Sequence, residues 1–275
     1  MPKKKVEKYL ESINAHTKYG HYRRRFKRLK VIAYDINEIW SADLAYVDKL
    51  AKYNRGVKYL LVAVDVLSRY LRVEPLVSKD AAETVKAFKK MIRNKRPEKL
   101  WVDKGTEFKG VFKKLCDQKG IEMYSTHSET KSAFAERNIR SLKNIIYKYL
   151  EDKWTWSYID RLQDFVSTIN TRINRVTKLD PSKVTKKDVT HLVSLANSAA
   201  TESQIQPKFS AGDFVRIAKK DLPFRKGYKQ NFTDEVFEIE TIKTVNPPTY
   251  TLVDANNEII QGKFYQPELI KVGER

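Results

Sequence analysis

Three acidic residues stand where acids are uncommon, and their placement suggests metal-dependent chemistry on phosphate. Asp43 lies in Trp40-Ser-Ala-Asp43-Leu44, inside a segment that otherwise reads as a sheet-forming strand. A carboxylate there is costly unless it is paired or bound to a metal. Asp103 directly follows Leu100-Trp101-Val102 and opens Asp103-Lys-Gly-Thr-Glu-Phe108, a sharp turn into a helix. Strand ends are where mixed α/β sheets place ligand groups. Glu136 falls one turn into a helix beginning near Ala133. Glu136, Arg140 and Lys143 follow at i, i+4 and i+7, on a different face from the apolar Leu142, Ile145, Ile146 and Tyr149.

Three carboxylates from separate elements would make an oxygen-only site, which suits Mg²⁺. Two such ions about 3.5–4 Å apart activate an attacking oxygen and stabilise the leaving one. No histidine base or covalent nucleophile is needed, and the four histidines are scattered. Each acid also has a plain alternative. Asp43 could be an edge-strand acid facing water, Asp103 a turn former, and Glu136 a solvated helix residue paired with Arg140. Glu107 and Asp65 read as solvated acids beside turns.

The elements that must carry these residues follow from periodicity. Ile39–Tyr46, Lys58–Asp65 and Leu71–Leu76 read as strands of an antiparallel meander, the second continuously apolar as if buried on both faces. A helix is expected over Asp80–Arg93, a strand over Lys99–Val102, and a helix over Thr106–Gln118 ended by Gly120. A strand over Ile121–Ser125 and helices over Ala133–Leu150 and Tyr158–Val176 complete a mixed sheet covered by helices. Pro181–Gln206 is polar and suits a linker. Strand patterns at Phe214–Ala218, Glu235–Ile242, Thr249–Val253 and Ile259–Tyr265 then suggest a small barrel.

The chain has 275 residues and a formal net charge of +20. Residues 1–30 hold eleven Lys/Arg against two Glu, whereas residues 208–275 hold eleven basic and ten acidic side chains. A polyanion is the natural partner, and nucleic acid is the commonest, although an anionic membrane or a ribosomal context also fits the charge. The longest apolar run, Tyr59–Val64, is too short to span a bilayer, and Met-Pro-Lys-Lys-Lys5 is no signal peptide. The single cysteine, Cys116, excludes an internal disulfide and a cysteine-rich zinc site. An intracellular, reducing compartment fits, and the basic clusters at Lys3–Lys5 and Arg23–Lys30 suit a nuclear-import signal.

Several segments together resemble the retroviral-type integrases, the "DDE" recombinases, with the flavour of Polinton (Maverick) transposons or retroelements. They are Ile39–Leu44, Tyr59–Tyr70, Val102–Phe108, Ser125–Lys143 and Ile169–Pro181, in the family's order. The resemblance implies a ribonuclease-H-like core with a mixed five-stranded sheet and flanking helices. By the same match, Asp43, Asp103 and Glu136 are the catalytic and metal-holding triad for two Mg²⁺ or Mn²⁺ ions, and Lys131, Arg140 and Lys143 contact DNA. Phe209–Ile217, Phe232–Ile239 and Tyr250–Asp254 resemble the SH3-like module that follows such cores, with Phe214, Tyr228, Phe232, Phe237 and Tyr250 expected mostly in its core.

There are departures. Only 32 residues separate Asp103 from Glu136, a few fewer than in retroviral enzymes, and Lys104 replaces the usual asparagine or serine. No His-His-Cys-Cys zinc domain is present, since His16 and His21 have no cysteine pair after them, so no structural zinc is expected.

The resulting expectation is an α/β core plus a small all-β module. Residues 1–34 form a basic arm, 35–185 the core, 186–206 a linker and 207–275 an SH3-like domain able to fold alone. The module's near-neutral charge makes it a poor general DNA binder unless Arg216, Lys219, Lys220, Arg225 and Lys226 form one face. The expected activity is metal-dependent 3′-end processing and strand transfer of element DNA ends into target DNA. It would be carried out in the nucleus by a homo-oligomer with no membrane partner. A domesticated, non-catalytic DNA-binding protein and a ribonuclease-H-like nuclease are the alternatives.

Overall fold

The computed structural model describes residues 9–10, 12–23, 25–103, 105–125, 133–198, 205–219 and 228–273. The chain divides into two compact units, one from residues 31–199 and one joining residues 1–30 to 200–275. In chain order the elements are α1 (Asn14–Lys18), β1 (Ile39–Tyr46), β2 (Tyr59–Asp65), β3 (Leu71–Leu76), α2 (Ala81–Met91), β4 (Lys99–Val102), α3 (Val111–Gln118) and β5 (Glu122–Ser125). There follow α4 (Ala133–Asp152), α5 (Leu162–Thr171), α6 (Val189–Ser198), β6 (Phe214–Ile217), β7 (Phe237–Lys243), β8 (Thr249–Val253), β9 (Phe264–Tyr265) and β10 (Leu269–Lys271). Among the described residues no helix is long and apolar enough to cross a membrane.

The first unit is the expected mixed sheet, ordered β3-β2-β1-β4-β5. β1, β2 and β3 pair antiparallel, and β4 joins β1 and β5 in parallel. Side chains alternate across a strand, so β1 feeds two cores. Trp40, Ala42 and Leu44 join Leu61, Ala63, Phe88 and Phe112 on one face. Ala45 packs on the other face with Leu60, Val62, Leu142, Ile146 and Phe165. α4 buries Leu142, Ile146 and Leu150 there, which leaves the Glu136–Arg140–Lys143 stripe off the core. Asn170, buried at the end of α5, donates to the Leu71 carbonyl at 2.9 Å and accepts from the Leu71 N–H at 2.8 Å. Its amide thereby satisfies both backbone groups of one residue on the sheet's outer strand.

Three expectations change here. The helix expected from Thr106 is a short 3₁₀ turn, Thr106–Phe108, followed by α3, because Gly110 takes a left-handed φ of 57° between them. The helix expected over Tyr158–Val176 is cut to α5. The segment 186–206, expected as linker, contains α6, whose Leu192 is buried against Ala33, Ile39, Val66, Leu67 and Trp101. Val189, Leu192, Val193 and Ala196 carry helical apolar spacing that polar flanks conceal in a composition reading.

The second unit holds an antiparallel five-stranded sheet, ordered β10-β6-β7-β8-β9, around Phe209, Val215, Phe237, Ile239, Tyr250 and Leu252. Phe232, Phe237 and Tyr250 are buried as expected, but Phe214 and Tyr228 are exposed. β10 is a strand that the sequence pattern did not indicate.

The described part of the arm is packed onto this sheet unit. Arg216, only 2 % exposed, donates to Thr17 Oγ1 at 3.1 Å, Asn14 Oδ1 at 2.8 Å and the Thr233 carbonyl at 3.0 Å. The Lys18 carbonyl accepts from the N–H groups of Asn231 and Phe232, and the rings of Tyr22 and Phe26 pack on Phe232 and Tyr265. Gly20 lies so close to Ile270 that a β-carbon would sit 2.4 Å from its Cδ1. Arg216 is therefore no member of a surface cation face. Lys219 pairs with Asp234, and Lys220, Arg225 and Lys226 lie outside the described residues.

Candidate active site

The pleat of β1 aims Asp43 at the α4 side of the sheet, with Ala45. The residue is half-buried, and its Oδ1 accepts from the Leu44 N–H at 2.8 Å. Its carboxyl is pushed up to about 6, first by burial and then by the negative fields of Asp103, Glu136 and Glu107, against the pull of the Leu44 N–H. It is thus no water-facing edge acid, for β1 lies inside the sheet.

Asp103 follows β4 by one residue. β1 and β4 pair Ile39 with Lys99 through Ser41 with Trp101, and Asp103, just past the paired residues and outside the cleft that Asp43 lines, is near enough for its charge to raise the Asp43 carboxyl. Asp103 Oδ1 accepts from the Gly105 N–H at 2.9 Å, so it is also a turn former. Glu136 is exposed in the first turn of α4, where the helix dipole favours an anion.

One cleft of about 490 Å³ brings Asp43 and Glu136 together with Arg140 and Lys143. Among the described residues neither cation forms an ion pair, so the Glu136–Arg140 pairing considered from sequence is not made. The cleft also holds Tyr46, Asn144 and Tyr147, which the sequence reading passed over. Tyr147 had a signal: eleven residues beyond Glu136, it continues the same helical stripe. Lys131 lies outside the described residues.

The two acids read as solvated are not. Glu107 is only 9 % exposed, because the 3₁₀ turn folds it inward. Its carboxylate lies over Gly105, where a β-carbon would come within 2.5 Å of Oε1. Asp65 is 1 % exposed and accepts from the N–H groups of Asn37, Leu67 and Ser68, which fixes the β2–β3 turn. An aspartate before a turn signals the bonding pattern, whereas its burial depends on chain packed above it.

Among the described residues no three His, Cys, Asp or Glu side chains are grouped closely enough to hold a metal ion as they stand. The donor chemistry still fits a hard divalent cation. It is all oxygen, and the neighbouring carboxylates add to the cost of ionising Asp43, which a bound dication would relieve. Asp43, Asp103 and Glu136 would hold it after a rearrangement of side chains.

Comparison with known proteins bears on the family and the fold. Residues 33–130 match the family model described as the integrase core domain. A transposon-derived protein of Caenorhabditis elegans is 33 % identical over 220 residues, covering 79 % of this chain and 73 % of its own. The retrovirus-related Pol polyprotein from transposon 412 of Drosophila melanogaster is 28 % identical over 183 residues, which is 64 % of this chain and 14 % of the polyprotein. A chain in the cryo-electron-microscopy structure of a simian T-cell lymphotropic virus intasome, complexed with a PP2A regulatory subunit, matches with a TM-score of 0.67. That match has 16 % identity and covers 98 % of this chain and 90 % of the other. The mixed sheet with its helices is the ribonuclease-H-like core of these proteins, and the second sheet agrees with an SH3-like domain.

Proposed function

The chain belongs to the retroviral-type integrase family, and on that premise we propose that it is the DNA-joining enzyme of a mobile element. It cleaves a phosphodiester near the element's end and directs the freed 3′-hydroxyl at target DNA. The observation that carries this reading is the cleft in which Asp43 and Glu136 face two cations, Arg140 and Lys143, that have no ion-pair partner among the described residues.

Asp43, Asp103 and Glu136 would hold the divalent ions, Mg²⁺ or Mn²⁺, which would supply the charge that activates the attacking oxygen and stabilises the leaving one. Arg140 and Lys143 bind the phosphates next to the scissile bond, because donors one and two turns along the helix lie on the same face as Glu136. The Leu44 and Gly105 N–H groups fix one oxygen each of Asp43 and Asp103, which orients the remaining lone pairs. Glu136 is exposed in the first turn of α4, so its carboxylate is open to a ligand from solvent. The family premise supports a homo-oligomer holding two DNA ends, and the basic amino-terminal residues support work in the nucleus.

The test is joining of a labelled duplex end to plasmid DNA by the full chain. Joined product is expected with Mg²⁺ or Mn²⁺ and none in excess chelator. Robust joining in chelator would sink the reading.

A further inference from the structure

We infer that Phe134, held by the Trp101 ring and the Arg69 guanidinium, is a positioning residue that sets the Glu136 carboxylate relative to Asp103. The inference rests on the reading of Asp43, Asp103 and Glu136 as metal ligands and names what brings the third of them into place.

Glu136 sits in the first turn of α4, so its place depends on how that turn meets the sheet. The large buried anchors of α4, Leu142, Ile146 and Leu150, all lie beyond it. The nearest, Leu142, is six residues or about 9 Å of helix away. Helix ends fray unless something holds them. Ala135 is buried under the first turn but offers only a methyl. Phe134 is the large apolar side chain of that turn, and it packs on the cluster of Ile39, Val66, Leu67 and Trp101. It stands about 200° round the helix from Glu136, so it can grip the sheet unit while the carboxylate faces the cleft.

Two elements hold the ring. Trp101, buried in β4 two residues before Asp103, makes a T-shaped contact with Phe134, with centroids 6.3 Å apart and planes at 71°. Trp101 is itself stacked with Tyr124 of β5, with centroids 6.4 Å apart and planes at 7°. The Arg69 guanidinium lies over the Phe134 ring, its carbon 4.3 Å from the centroid. Arg69 belongs to the β2–β3 turn that Asp65 fixes, and its N–H donates to the Asp65 carbonyl at 3.0 Å. Its φ of 68° is a conformation that bulky residues rarely adopt. Its Nη1 is buried with no hydrogen-bond partner among the described residues. Burial, and then the field of Arg137, hold the guanidinium down to about 10 against the pull of Asp65. The aromatic face compensates such a cation, and the contact is stronger for being desolvated. Phe134 thus ties the strand that leads to Asp103 to the helical turn that carries Glu136. A displacement of about 1 Å can cost about a hundredfold in a step that needs such geometry.

The experiment uses the full chain. Mn²⁺ binding is followed by loss of the free-ion EPR signal, and joining of a labelled duplex end is titrated with Mg²⁺. Phe134→Ala should weaken Mn²⁺ binding and raise the Mg²⁺ midpoint for joining, each about tenfold, as for groups that orient a metal ligand. Duplex binding in chelator should not change. Phe134→Leu fills similar space without a π face and should share most of the loss. Phe134→Tyr keeps the ring and should bind Mn²⁺ as wild type does.

Wild-type Mn²⁺ affinity and Mg²⁺ midpoint in Phe134→Leu would overturn the inference, since filling space would then suffice. That variant decides alone if Phe134→Ala does not fold. Glu136→Gln judges the parent reading: wild-type Mn²⁺ affinity there means Glu136 is no ligand and sinks both. Mn²⁺ binding lost in Glu136→Gln but kept in Phe134→Ala and Phe134→Leu sinks the positioning role alone.

Discussion

In the core unit, half-buried Asp43 has the Leu44 N–H for a hydrogen bond and three carboxylates, Asp103, Glu136 and Glu107, within electrostatic reach. In the second unit, Arg216 is more deeply buried, yet its guanidinium is bonded on several sides by Thr17, Asn14 and the Thr233 carbonyl. Buried Glu268 likewise faces Arg28 at 3.6 Å and accepts from the Tyr265 N–H at 3.0 Å. Asp234 is held down to about 2 by Lys18 and Lys219. These charges of the second unit are matched within it and join two distant pieces of chain. Charge in the core cleft is left unmatched, which costs stability in the isolated protein and is relieved by a ligand of opposite sign.

The largest effect should come from removing the unmatched charge. Asp43→Asn, Asp103→Asn and Glu136→Gln should each lower joining by at least about a hundredfold while duplex binding survives, since the amide keeps the shape and loses the charge. A single variant that joins near normally would remove that residue from the site.

Next in size is the matched charge. Arg216→Ala strands several buried acceptors and should destabilise the second unit by about 3 kcal/mol. In a thermal scan its transition should fall while that of the core holds. Deletion of residues 1–30 should act in the same direction, so residues 207–275 alone should be less stable than with the arm. If both transitions stay in place in Arg216→Ala, the arm is no part of that unit and the contrast between the units fails.

A smaller effect follows from the raised carboxyl of Asp43. Its folded value of about 6 exceeds the ordinary 3.8, so between those values the native state binds more protons than the unfolded one. Stability of the core should therefore fall as pH rises through this window, and the loss is complete above pH 6. In chelator at pH 7.5, Asp43→Asn should then be more stable than wild type by on the order of 1 kcal/mol, a figure reduced for its partial solvent contact. Denaturation midpoints that are flat from pH 4 to pH 7 in wild type would mean the cleft carries no such penalty.

The smallest effect separates free from paired cations. Arg140→Ala and Lys143→Ala should each flatten the salt dependence of DNA binding by about 0.9 units of log–log slope, as for one lost phosphate contact. Lys219→Ala, whose ammonium is paired with Asp234, should change the slope far less. Equal slopes in all three would return Arg140 and Lys143 to the solvated surface.

What the sequence determined by itself was local and periodic. β1, β3, β4 and β8 stand where alternation and apolar runs put them, because a strand's register is set by its own side chains. Asp43, Arg140, Lys143 and Tyr147 were placed toward one cleft by the same periodicities, although Tyr147 went unread without a partner to give it meaning. Only the tertiary structure decided which charged residues are buried. Asp65 carries no local mark of burial, and the Asn37 N–H, 28 residues earlier, closes on it; Glu107 is buried by the 3₁₀ turn that replaced the expected start of a helix. Arg216 looked like a surface cation until Asn14 and Thr17, some two hundred residues earlier, closed over it. Leu192 became core because α6 docks on the sheet unit. Burial is a property of what packs on top, and contacts between residues so far apart in the chain leave no periodic trace in it.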